Sequence, residues 1–195
     1  MKSLMVALLL AVIAVSLHAD PKVWKIDPVH SKVQFNVSHM VISEVTGIFR
    51  DFAATVRSSR DDFSDMQVES TIQTASVSTD NDQRDNHLRS DDFLSAQKFP
   101  AMVFKSTRVE KTGKDTYKVY GDLTIRDVTR SVILDASLNG VIKDPYGNMR
   151  AGFKATTSID RFDYGVRWDK VLDSGGLIAG KNVSITLLFE LVQAK

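Results

Sequence analysis

His30-Ser31-Lys32-Val33-Gln34-Phe35-Asn36-Val37-Ser38-His39-Met40 is the stretch whose reading decides the fold. From Lys32 to Ser38, polar residues stand at even positions and apolar ones at odd positions. A period of two is the mark of a β-strand with one wet face and one dry face. The same alternation returns at Ile48, Phe52, Ala54 and Val56, and again at Met66, Val68 and Ile72. It recurs at Tyr117, Val119, Leu123 and Ile125, and at Val132, Leu134, Ala136 and Leu138. Phe153, Ala155, Thr157 and Ile159 continue it, and Val183, Ile185, Leu187, Phe189 and Leu191 close it. Lys98 to Val109 reads as a further, less regular strand. With the opening stretch as the first strand, the pattern predicts about eight strands. Lys111-Thr112-Gly113-Lys114-Asp115 and Asp144-Pro145-Tyr146-Gly147-Asn148 read as turns, the second with Pro to fix φ and Gly or Asn to accept positive φ.

Two segments interrupt this rhythm. Thr79 to Leu94 predicts a helical excursion: Thr79 suits an N-cap, Asp80 and Asp82 suit the first turn, and Ser90 suits the cap of a second short turn. Asp160 to Asn182 holds four glycines together with Tyr164 and Trp168, and connections of that length are often functional. About eight short antiparallel strands, each with one dry face, predict a closed barrel, since closure removes exposed sheet edges. An eight-stranded barrel either fills with side chains or holds one small ligand, and the two look alike in sequence.

Composition narrows the function classes. Lys2 and the apolar run Leu4 to Leu17, broken only by Ser16 and followed by Ala19, have the layout of a secretory signal peptide with cleavage after Ala19. That division gives a leader at 1–19 and a single domain at 20–195, in an exported protein with no membrane anchor once the leader is removed. No other stretch is apolar enough to span a bilayer. Cysteine is absent, which excludes disulfides, thiol nucleophiles and cysteine metal sites. Without Lys2 the chain carries 24 basic and 24 acidic residues, a balance that argues against nucleic acid as a partner.

The motifs, taken in order, resemble the YceI-like family of bacterial polyisoprenoid-binding proteins. The resemblance runs through Asp27-Pro28-Val29-His30-Ser31, Val37-Ser38-His39, Gly47-Ile48-Phe49, Thr79-Asp80-Asn81, Arg84-Asp85, His87-Leu88 and Lys98-Phe99-Pro100. It continues through Gly121-Asp122-Leu123-Thr124-Ile125, Phe162-Asp163-Tyr164-Gly165, Trp168, Gly175-Gly176 and Gly180, with Tyr164 where the family pattern has Phe. The resemblance implies a lipocalin-like eight-stranded antiparallel barrel, exported to the periplasm, holding a long-chain isoprenoid such as a quinone-type lipid, and forming a homodimer. No cofactor beyond that lipid is implied.

The candidate site residues follow from that expectation. Phe35, Phe49, Phe52, Leu123, Ile125, Phe153, Phe162 and Trp168 are candidates to line an apolar pocket, with ordinary core packing as the alternative for each. Affinity for an isoprenoid must come from apolar area removed from water, about 25 cal/mol per Å². Arg84, Asp85, His87 and Tyr164 are candidates for its polar end, and the alternative for the Arg84–Asp92 cluster is a network fastening the helical excursion to the barrel. On a regular strand His30 and His39 face opposite sides, so they bind no common ion, and no metal site is expected. Asp85 and His87 stand two apart, which separates them on a helix, and no nucleophile motif accompanies them, so no catalytic residue is expected. The competing functions are an enzyme acting on an isoprenoid through Asp85 and His87, and a stress-related interaction protein with a filled barrel core.

Overall fold

The dry face of the opening stretch finds its partners at the far end of the chain. In the computed structural model, which describes residues 20–173 and 175–195, Val33, Phe35 and Val37 lie opposite Leu187, Ile185 and Val183. Those three in turn lie opposite Ala155, Thr157 and Ile159. Odd parity therefore stacks across three strands, and each row points inward. The leader expected at 1–19 lies outside the described residues.

The elements in chain order are β1 (Lys22–Ile26), β2 (Lys32–His39), β3 (Ser43–Phe49), β4 (Phe52–Ser58), β5 (Gln67–Gln73), β6 (Val77–Ser78), α1 (Asp82–Arg89), β7 (Ala101–Gly113) and β8 (Thr116–Ile125). They continue with β9 (Val128–Lys143), β10 (Met149–Asp160), β11 (Val171–Leu172), β12 (Gly176–Leu177) and β13 (Ala179–Gln193). Eight strands close a ring in the order β1-β4-β5-β7-β8-β9-β10-β13, and β13 returns to β1. All pairings are antiparallel, as expected for a barrel without open edges. β13 is long enough to serve two partners: Ala179 to Leu188 pair with β2, and Leu191 to Gln193 pair with β1. The β2–β3 hairpin and the short β6 thus rise beside the upper half of the barrel.

Several details depart from the sequence reading. The opening stretch is the second strand, because Lys22–Ile26 precedes it; five residues ending before Asp27-Pro28 are too short for a clear period. Ile48 and Phe52 do not share a strand. The chain turns at Arg50-Asp51 and parity changes there, so the buried residues are Gly47 and Phe49 on β3 but Ala54 and Val56 on β4. Helix α1 is capped by Asn81, whose side chain accepts from the Arg84 N–H, and not by Thr79. Thr79 instead donates its hydroxyl to Asp85. Ser90 ends the helix, with its Oγ donating to the His87 carbonyl, so it does not open a second one.

The two ends of the barrel are finished differently. At the lower end an aromatic plug fills the interior: Trp24 meets Phe63 at 5.3 Å between centroids, Phe63 meets Phe153 edge-on at 5.1 Å, and Tyr117 lies 6.5 Å from Phe153. The Tyr117 hydroxyl donates to the Asp62 carbonyl at 2.6 Å, which satisfies the one polar atom of the plug's tyrosine. At the upper end stand the β2–β3 turn, the β8–β9 turn, α1 with the turns after it, and the segment 161–178. Arg126 of the β8–β9 turn ties the last two together, donating to the carbonyls of Phe93 and Gly165 at 2.8 and 2.9 Å.

Candidate ligand-binding site

Between the plug and the upper cover the barrel is hollow. The cavity has a volume of about 320 Å³, at the lower end of the range typical of small-molecule pockets. Its wall is assembled from inward rows of every long strand. Val37, Val183 and Ile159 form the uppermost row across β2, β13 and β10, and Phe35, Ile185 and Thr157 form the next. Leu123 and Ile125 of β8, Val132 and Leu134 of β9, and Met102 and Phe104 of β7 face them. Phe52 and Phe189 stack at 6.4 Å near the floor.

Two close approaches shape this wall. A Cβ on Gly47 would stand 2.2 Å from the Phe35 ring, and one on Gly121 would stand 2.4 Å from the Phe104 ring. In each case a glycine opposite or beside an aromatic lets the ring lie against the backbone. That is the reason for glycine here, since neither position has positive φ.

The upper cover is aromatic on its inner side. Trp168 from the long segment packs on Phe93 at 5.3 Å and on His87 of α1 at 5.6 Å, and His87 meets Phe93 edge-on at 4.9 Å. His87 Nε2 lies 2.8 Å from Asp92 at the rim. Arg161 organises the segment 161–178. Its guanidinium donates to the carbonyls of Gly180, Val166, Trp168 and Ala179 at 2.7–2.9 Å. Burial pushes the Arg161 guanidinium down from its ordinary value, with Asp160 and Asp169 acting in the opposite direction. Tyr164 is buried, and its hydroxyl has no hydrogen-bond partner among the described residues. Desolvation pushes its phenol up to about 12, so it stays protonated.

Phe35, Phe49, Phe52, Leu123, Ile125 and Trp168 all stand in the cavity wall. Phe153 does not: it belongs to the lower plug between Phe63 and Tyr117. Phe162 also stands outside the wall, with the Arg161 guanidinium 4.6 Å from its ring centroid. Of the polar candidates, Arg84, His87 and Tyr164 reach the wall. Asp85 is buried behind it, accepting from the Thr79 N–H at 2.8 Å and from the Thr79 hydroxyl, which fastens α1 to the strand before it. Arg89 does the same, donating to the carbonyls of Ala75 and Val77. Sequence reasoning missed Arg161, a lone basic residue at a strand end, and passed over Met102 and Phe104, whose strand alternates poorly. The inward parity of Ile185, Leu187 and Phe189 was a usable signal for the rest.

His30 and His39 stand apart, His39 in the cavity wall and His30 exposed in the link before β2. Asp27, His30 and Glu190 bring ligand-type atoms within 4.8 Å of one another. Arg150 lies among them, paired with Asp27, Glu190 and Asp144, so the group is an ion-pair network in which one guanidinium serves three carboxylates.

A family model described as the YceI-like domain matches residues 24–191. The chain belongs to the YceI-like family. Among its relatives is a UPF0312 protein of Pseudomonas fluorescens, 42% identical over 171 residues, covering 85% of this chain and 83% of the relative. A UPF0312 protein of Staphylococcus aureus is 37% identical over 158 residues, covering 80% and 90%. Among solved structures, the Campylobacter jejuni YceI protein superposes with a TM-score of 0.69 at 32% identity, covering 81% of this chain and 90% of that one. Two more distant structures share the fold: Burkholderia cenocepacia BcnA, with a TM-score of 0.74 at 20% identity and coverage of 85% and 98%, and a polyisoprenoid-binding domain from Saccharophagus degradans, with a TM-score of 0.68 at 14% identity and coverage of 88% and 98%. This chain has the closed eight-stranded ring and an interior hollow.

Proposed function

We propose that this protein carries or stores a long-chain isoprenoid lipid in its barrel, without covalent chemistry, in the periplasm. The observation that carries the reading is the apolar cavity of about 320 Å³, floored by aromatics and covered by Trp168. A chain with no hydrogen bonds to make binds by leaving water, and each 100 Å² of apolar area so removed contributes roughly 2.5 kcal/mol. The Saccharophagus degradans domain of the same fold is described as polyisoprenoid-binding, which supports the same ligand class here. The geometry favours binding over catalysis, because the carboxylate of Asp85 is engaged by Thr79 and is not presented to the cavity. Export rests on the leader at 1–19, and a homodimer is proposed from the family resemblance.

The test is purification of the full chain from its native host, solvent extraction and mass spectrometry. A polyisoprenoid or quinone-type lipid is expected. Ile185→Trp, which fills the cavity from β13, is expected to keep the β-sheet circular dichroism and lose the lipid. Repeated preparations that are empty would overturn the reading. Intact mass of the periplasmic fraction reads cleavage after Ala19, and light scattering reads the dimer.

A further inference from the structure

Apart from the Tyr164 phenol, which stays protonated, the ionisable groups of the cavity wall are all basic. Arg84 and Arg161 stand in it with His39 and His87, and no carboxylate among the described residues does. The rest of the wall is almost wholly apolar, so the field of the buried Arg161 guanidinium is weakly screened inside.

Arg161 is the more buried of the two arginines, at 6% exposure. A guanidinium has five N–H donors. Four of them serve backbone carbonyls, which leaves one Nη1 N–H with no acceptor among the described residues. Carbonyl dipoles stabilise the cation but carry no net charge. Asp160 and Asp169 favour its charged form, yet neither forms an ion pair with it among the described residues, and Asp160 is occupied by the Phe162 N–H and by Lys181. Arg161 and His87 flank the same pair of rings. The guanidinium lies 5.8 Å from the Phe93 centroid and bonds the Trp168 carbonyl, while the His87 ring packs on both aromatics. Arg84, which is exposed, donates to the hydroxyl and carbonyl of Thr79, whose hydroxyl in turn donates to the buried Asp85 carboxylate.

We infer that the upper end of the cavity seats an anionic lipid head, a phosphate or a carboxylate, with Arg161 as its main anchor and Arg84 as a second. The inference rests on the isoprenoid reading of the cavity and adds the sign of the head group. A neutral head leaves the spare Nη1 N–H of Arg161 without a charged acceptor, whereas an anionic one forms a charge-assisted hydrogen bond there in a low-dielectric setting, where such bonds are strongest, with the more exposed Arg84 as a second donor.

The experiment uses the delipidated mature protein and three C20 isoprenoids that differ only in the head: geranylgeranyl phosphate, geranylgeranoic acid and geranylgeraniol. At least one of the two anions is expected to bind roughly ten- to a hundredfold more tightly than the alcohol. The ratio of the two anions tells phosphate from carboxylate. Arg161→Gln is expected to bring all three within about threefold because the anions lose more than the alcohol does, whereas mere loss of packing in the cover would weaken all three alike and keep their ratio. Arg84→Gln is expected to narrow the preference in part. Wild-type protein that binds the alcohol as tightly as both anions overturns the inference and leaves the isoprenoid reading standing. So does an Arg161→Gln variant that keeps the preference. If Arg161→Gln does not fold, the wild-type ratio and Arg84→Gln decide. If the wild type binds none of the three, the isoprenoid reading itself falls and takes the inference with it.

Discussion

Arg150 on β10 gathers carboxylates from three distant places: Asp27 in the β1–β2 link, Asp144 in the β9–β10 turn and Glu190 on β13. The hydrogen bond from His30, helped by Arg150 and opposed by burial, holds the Asp27 carboxyl at about 2. A depressed carboxyl contributes stability that is fully present above its unfolded value of 3.8 and is lost as pH falls towards 2. Asp27→Asn is therefore expected to cost about 1 kcal/mol at neutral pH, allowing for solvent screening, and almost nothing near pH 2, as read by denaturant titration at both pH values. His30 shifts the other way, raised by the same hydrogen bond, so its share is complete below 6.5 and fades as pH rises through its folded value. A second residue-scale prediction concerns Gly47. Its alanine variant must displace the Phe35 ring from 2.2 Å into the cavity, which is expected to cost about 1–3 kcal/mol in stability and to weaken lipid retention. Thermal melts with and without bound lipid measure both.

The β2–β3 turn is an element whose residues disagree with its backbone. Met40 and Val41 have φ of +50° and +64°, a signature of the mirror-image hairpin turns that Asn-Gly adopts at little cost. A β-branched residue there is strained. Replacing Met40-Val41 by Asn-Gly is expected to raise stability by about 1 kcal/mol, checked by the shift in denaturation midpoint at unchanged slope. The helical excursion shows how far an element can be read from sequence. Its place and Asp82 in its first turn were legible, because capping and dipole preferences are local, but Asp80 stands before the cap and outside the helix. Its true cap was not, because Thr79 and Asn81 are both good N-caps and the choice depends on Asp85 turning back to bind Thr79. The segment 161–178 was legible as a functional-looking connection. Its organiser, Arg161, was not, since its four carbonyl partners stretch from Val166 to Gly180 and meet only in the folded chain.

At the scale of the molecule, a hollow barrel is less stable empty than filled, because its wall lacks contact atoms on one side. A ligand at a hundred times its Kd adds about 2.7 kcal/mol, which for a domain of this size is a rise of roughly 5–10 °C in Tm. Delipidated protein reloaded with the extracted lipid is expected to show that rise, and the cavity-filled Ile185→Trp variant is expected to show none. The sequence by itself determined that this chain is built of β-strands with one dry face, since alternation of period two is a local property, and its motifs resembled one family; closure into a ring is decided by β13 returning to β1. It also marked Phe35, Phe49, Phe52, Leu123, Ile125 and Trp168 as residues of a dry interior. Only the tertiary structure decided which dry residues surround space and which fill it. Phe153 and Phe35 have the same parity and the same chemistry. One is packed between Phe63 and Tyr117 and the other faces the hollow, because Trp24 and the 59–66 loop fill one end of the barrel, whereas among the described residues the other end is roofed by Trp168 and Phe93 above open space. Parity is set by the backbone of a single strand, whereas a cavity is a property of all eight at once.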